Sequence, residues 1–162
     1  MSNSSFPYSE DILQWVWSEG LIDFAALQTT CGKSIDVLNP GTLNTSDGPD
    51  FTFATISIGG LTWSGSIEMH LKSSDWSHHN HHTDDKYNNV ILHAVVQNNP
   101  KDVFTKSGNK PYTVNLLPAL PLEIQTFIQN LENSKRLPCA QNVQFLSNEI
   151  FSQQIELAHN EY

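Results

Sequence analysis

With 162 residues, 38 % hydrophobic and 15 % charged, the chain has a globular composition and is long enough for one domain that buries roughly two-thirds of its unfolded surface. A formal net charge of −9 argues against broad, sequence-independent attraction to phosphate backbones, which normally needs a basic patch, and does not exclude a nucleic-acid enzyme. Cys31 and Cys139 form no CxxC pair and are read as inert, no apolar run approaches the roughly 20 residues of a membrane span, and the polar start MSNSSFPYSED is no secretory leader, so a cytoplasmic protein is expected.

Ser9, Glu10 and Asp11 read as a helix start, with acidic groups at the positive end of the dipole, and Gly20 as its stop. A second short helix is expected around Ile22 to Gln28, then a strand from Ser34 to Leu38. Asn39 to Asp47 is rich in turn formers and Gly48-Pro49 closes it. A period-2 segment from Asp50 to Ile58 meets Gly59-Gly60 and continues from Leu61 to Leu71, a hairpin pattern. Ser74 to Asn89 is polar and dense in His and Asp, with a helical stretch expected near Asp84 to Asn88. Val90 to Val96 is a continuous apolar run, as in a strand buried on both faces. A loop with a Gly108-Asn109 turn, a strand from Tyr112 to Leu117 and a helix from Pro121 to about Asn133 follow. A further helix is expected from Ser147, and with no stop signal before Tyr162 it suggests a chain that continues. The fold class is therefore α/β (α+β): a mixed central sheet with a β-hairpin, flanked by helices, over residues 1–140, with 141–162 as a C-terminal helical segment.

Register decides which hairpin residues share a face, because a one-residue slip reverses every side chain. A two-residue loop would pair Ile58 with Leu61 and mix polar with apolar residues on both faces. A three-residue loop with a glycine bulge pairs Ile58 with Thr62 and Asp50 with His70. One face then carries Phe51, Phe53, Trp63, Ile67, Met69 and Leu71, and the other gathers Asp50, Thr52, Ser64, Ser66, Glu68 and His70. Cβ atoms directly opposite lie about 4.5–5.5 Å apart, so the Asp50 and Glu68 carboxylates are expected to share a cation.

The segment around Trp76 holds His78, His79, His81 and His82, with Asp84 and Asp85 close behind. Imidazole is a common transition-metal ligand, and His79 and His81 have the spacing to turn two rings toward one ion. His78 and His82 read as surface residues, and His93, inside an apolar strand, as a hydrogen-bonded core residue. The tryptophans read as core.

The run GPDFTFATISIGGLTWSGSIEMHLKSSDWSHHNHHTDDKYNNVILHAVV, with ILQWVWSEGLIDFAALQTTCG before it and LPC after it, resembles the signature of an uncharacterised bacterial family of unknown function. More remotely, Pro49-Asp50 and Glu68-Met69-His70 across a hairpin are similar to the motif of the PD-(D/E)XK nuclease superfamily, with His70 where that motif has lysine. This likeness implies a nuclease-like core and hydrolysis of phosphodiester bonds in DNA or RNA. In it Asp50 and Glu68 hold Mg²⁺ or Mn²⁺, His70 orients water or moves a proton, His79, His81 and Asp84 position substrate, and Glu19 or Glu10 supplies a helix carboxylate. Two alternatives stand beside it: an inactive module of the same fold that binds a protein partner, and a zinc-dependent hydrolase built on His70, His79 and His81.

Overall fold

The computed structural model describes residues 10–98 and 102–126. The chain divides into two compact units, Met1–Leu122 and Glu123–Tyr162, and the elements named here lie in the first. The 140/141 boundary, the Ser9 cap and the helix expected from Ser147 fall outside the described residues, as does the helix after Pro121 beyond residue 126.

Helix α1 spans Glu10–Ser18 and buries Leu13, Val16 and Trp17. The second helix expected there shrinks to a 3-10 turn at Phe24–Ala26, which Asp23 caps by accepting the Ala25 N–H at 3.1 Å. Strands β1 (Ile35–Asn39) and β2 (Thr42–Leu43) both pair with β3 (Phe51–Ile58), which forms the hairpin with β4 (Leu61–Lys72). The short helix α2 (Asp75–His78) and 3-10 turns at His81–Thr83 and Asp85–Asn89 lead to β5 (Val90–Gln97), and β6 is Tyr112–Asn115. The sheet order is β1-β3-β4-β5-β6, antiparallel up to β4 and parallel beyond it. A parallel step needs a crossover of about a dozen residues or more, and the polar segment 73–89 supplies it. The fold is thus α+β with a mixed sheet, and among the described residues 3-10 turns stand where the sequence predicts helical stretches around Ile22 to Gln28 and Asp84 to Asn88.

The hairpin corrects the expected register. Gly59 and Gly60 both have positive φ (59° and 79°), so a two-residue loop pairs Ile58 with Leu61. The extra residue sits instead at Thr52–Phe53, between the pairs Ala54–Gly65 and Phe51–Ile67. There Phe53 takes a left-handed φ of 59° and is 80 % exposed, so it is not the core residue alternation predicted. Trp63, on the half of β4 next to the turn, is also exposed at 40 % and touches Tyr112 edge-on at 5.8 Å.

One sheet face, with Phe51, Ile67, Met69, Leu92 and Ala94, is apolar and meets α1 through Trp17, whose ring lies 6.2 Å from Phe51. The other face is covered by the crossover, where Trp76, Tyr87, Val90 and Val103 form a core cluster. The crossover rejoins the sheet so closely that a Cβ on Gly65 would stand 2.4 Å from the Asn89 carbonyl oxygen. Only glycine fits that contact. Among the described residues no helix is long and apolar enough to cross a membrane.

Candidate metal centre

Alternation along β4 sends Ser66, Glu68 and His70 to the face that the crossover covers. Parallel pairing sets His93 of β5 beside Glu68. His81 comes down onto this group from its 3-10 turn, held between aromatic neighbours: its ring stacks on Tyr87 at 3.8 Å and meets Trp76 edge-on at 5.4 Å. Trp76 is in turn fixed by its indole N–H, which donates to the Phe104 carbonyl at 3.0 Å.

Three donor atoms converge here. His81 Nε2 lies 3.0 Å from Glu68 Oε1, His70 Nε2 lies 3.5 Å from the same oxygen, and the two nitrogens are 3.2 Å apart. Ligands about 2.0–2.1 Å from a tetrahedral ion are separated from one another by about 3.3 Å, so this triangle matches one face of such a site. His79 joins two of these residues in a second grouping, with ligand atoms of His70, His79 and His81 all within 4.8 Å of one another. These three histidines form a cluster able to bind a metal ion.

Asp50, just before β3, lies beside Glu68, and its backbone N–H donates to Glu68 Oε2 at 3.1 Å. Its carboxylate acts as a clamp: Oδ1 accepts from Gln14 Nε2 at 2.8 Å and Oδ2 from the Met69 N–H at 2.7 Å. Asp50 and Glu68 are thus adjacent, through the bulge at Thr52–Phe53 rather than through an Asp50–His70 pair. Of the two helix carboxylates expected, Glu10 faces the charges of His79, Asp50 and Asp75, whereas Glu19 is exposed beyond the end of α1. Asp84 caps the turn that follows it by accepting the Lys86 N–H at 3.0 Å, and its charge reaches His81. His78 and His82 are exposed.

Burial dominates the electrostatics. It raises Glu68 to about 8 and Asp50 to about 7, the latter with help from the Glu68 charge. Glu10 rises to about 7, again mainly by burial. Burial lowers His70 to about 2, with neighbouring imidazoles adding to the effect, lowers His93 to about 3, and lowers His81 against the opposing pull of Asp50 and Asp84. Without a cation His70, His81 and His93 are therefore neutral imidazoles, beside carboxyls on which burial holds protons near neutrality. A divalent ion would replace those protons.

His93, Trp76, Gln14 and Tyr87 join the site without a signal of their own in the sequence. The one hint was a histidine inside VILHAVV and two large aromatics, Trp76 and Tyr87, bracketing a polar segment. No curated protein and no solved structure matches the chain. The sequence model described as "Protein of unknown function (DUF2851)" matches residues 10–161, and the chain belongs to that family.

Proposed function

We propose that the protein is a metal-dependent hydrolase whose ion is held by Glu68, His70 and His81, with His79 completing the set, and whose substrate is a phosphodiester of DNA or RNA. The observation that carries the metal centre is the triangle of 3.0, 3.2 and 3.5 Å between Glu68 Oε1 and the Nε2 atoms of His81 and His70. A donor set with three imidazoles suits Zn²⁺ or Mn²⁺ better than Mg²⁺, which prefers oxygen ligands and retained waters.

A bound ion supplies Lewis acidity and neutralises charge developing on a phosphoryl group. The chain's own residues do the rest. Asp50 fixes β3 against β4 and α1 by its three hydrogen bonds, so that Glu68 presents Oε1 to the imidazoles while Oε2 stays on the Asp50 N–H. Glu10, raised to about 7 and facing His79, is placed to take up or release a proton at the rim of the site. The phosphodiester assignment is supported by Pro49-Asp50 and Glu68-Met69-His70 at the open end of a hairpin, the arrangement of the PD-(D/E)XK motif.

A second reading, a metal-holding module that binds a protein partner without catalysis, is favoured by the engagement of both Asp50 oxygens and by the net charge of −9. One experiment addresses both. Protein stripped with a chelator is reloaded with Zn²⁺, Mn²⁺ or Mg²⁺, its metal content is measured, and single-stranded and duplex oligonucleotides are offered. The expected result is one equivalent of Zn²⁺ or Mn²⁺, with cleavage abolished in Glu68→Ala and His81→Ala. Binding without cleavage selects the second reading, and no binding of any of the three ions overturns both.

A further inference from the structure

His93 occupies a place where an aliphatic side chain would pack better. The rest of β5 is nearly all apolar, His93 is 0 % exposed, and its Nδ1 has no hydrogen-bond partner among the described residues. Burying a polar atom without a partner costs about 1–3 kcal/mol. As structure alone the imidazole is a liability.

Its other nitrogen is engaged. His93 Nε2 lies 2.7 Å from Nδ1 of His70, a bond enclosed within the sheet. A neutral imidazole has one N–H, so the direction of this bond decides where the His70 proton sits. If His93 donates, His70 carries its hydrogen on Nε2, which then points at His81 Nε2 and Glu68 Oε1, into the space a cation needs. If His93 accepts, His70 is protonated on Nδ1 and the Nε2 lone pair faces Glu68 and His81. A metal-ligating histidine characteristically donates its remote N–H to a fixed acceptor, which sets both tautomer and ring orientation.

We propose that His93 is the positioning residue of the metal centre: it accepts the Nδ1–H of His70 and so aims the Nε2 lone pair of His70 at the ion. Trp76 holds the His93 ring, with ring centres 5.2 Å apart and planes inclined at 58°. The hydrogen of His93 then lies on its partnerless Nδ1. This role rests on the metal centre proposed above and extends it to a residue that does not touch the ion.

Zn²⁺ affinity of the full chain, measured by competition with a chromophoric chelator, tests it in His93→Leu and His93→Gln. Leucine keeps the volume but accepts nothing, and binding is expected to weaken 10–100-fold, while the metal-free protein melts at the same temperature or higher. The glutamine side-chain oxygen can take the place of Nε2, and most of the affinity is expected to return. Equal Zn²⁺ affinity of His93→Leu and wild type overturns the proposal, and so does a His93→Gln protein as weak as His93→Leu. Failure of the wild type to bind Zn²⁺ strikes instead at the metal centre itself. Should His93→Leu not fold, ¹⁵N spectra of Zn²⁺-loaded wild type decide: a scalar coupling across the His70 Nδ1–H···Nε2 His93 bond is expected, and its absence overturns the role.

Discussion

The two ends of the β3–β4 hairpin share one alternating pattern and end in opposite environments. Near the turn, residues 61–64 of β4 are exposed, and the Thr55 and Ser64 hydroxyls, 3.3 Å apart, meet in reach of water. Toward the open end, residues 65–70 are buried. The cause is a neighbour, because β5 joins β4 only from Ser66 onward and brings the crossover down on that half. A polar residue at the turn end is a solvated ornament. At the open end it must find a partner inside the protein, so Glu68, His70 and His81 meet one another, His93 is engaged through one nitrogen, and their chemistry is shifted by burial.

The contrast breaks most sharply if the cover is removed. Trp76→Ala should destabilise the protein by about 3–5 kcal/mol in urea denaturation, as expected for a fully buried indole. A loss below about 1 kcal/mol would show that the crossover does not anchor the buried end.

A smaller effect sharpens the contrast through pH. Because burial raises Glu68 to about 8 and Asp50 to about 7, the folded metal-free protein keeps protons that the unfolded chain releases from about pH 4 upward. Their contribution to stability is full below that point and is lost as pH rises through 7 to 8. His70 and His93, lowered to about 2 and 3, act in the opposite sense: their contribution is full above about pH 6.5, where the unfolded chain is also neutral, and is lost as pH falls. The slopes oppose each other between about pH 4.5 and 6.5, and a net loss remains from there to pH 8. Glu68→Gln removes one titrating carboxyl, and in chelator its stability relative to wild type should rise by roughly 3–4 kcal/mol between pH 5 and pH 8. Parallel pH profiles for the two proteins would refute this account of Glu68.

The smallest effect belongs to the bulge that divides the ends. An aromatic residue in left-handed backbone is strained by about 1–2 kcal/mol, and glycine relieves this at an entropic penalty of about half as much. Phe53→Gly should therefore raise stability by about 0.5–1 kcal/mol in denaturant titration. Destabilisation would mean that the exposed Phe53 ring makes contacts worth more than the strain.

Much of the buried end was legible in the sequence. Pro49-Asp50 opening one strand and Glu68 in the next were enough to expect adjacent carboxylates, and His79 and His81 stood out by residue type. The route to that adjacency was not legible. Alternation favoured a bulge at the glycine turn, which would have kept Phe53 inside, whereas the extra residue lies within β3 and turns Phe53 out. A bulge is a tertiary choice, set here where β1 and β2 part along β3, and Phe53 is not a residue type that announces left-handed backbone. The apolar run around His93 predicts a buried, hydrogen-bonded histidine; a single sequence does not supply its partner, because parallel register, and with it the approach of His93 to His70, follows a crossover whose length fits many pairings.

That crossover bears on how an ion and the fold would depend on each other. His70 and His81 are only 11 residues apart in the chain, and Glu68 is next to His70 but one. Joining groups so near one another closes a short loop and removes little freedom from the unfolded chain, since the entropy of closure grows with loop length. An ion here would do little as a cross-link between distant parts of the chain. It would act instead as a latch on one short stretch of polypeptide, leaving a folded protein behind when it departs.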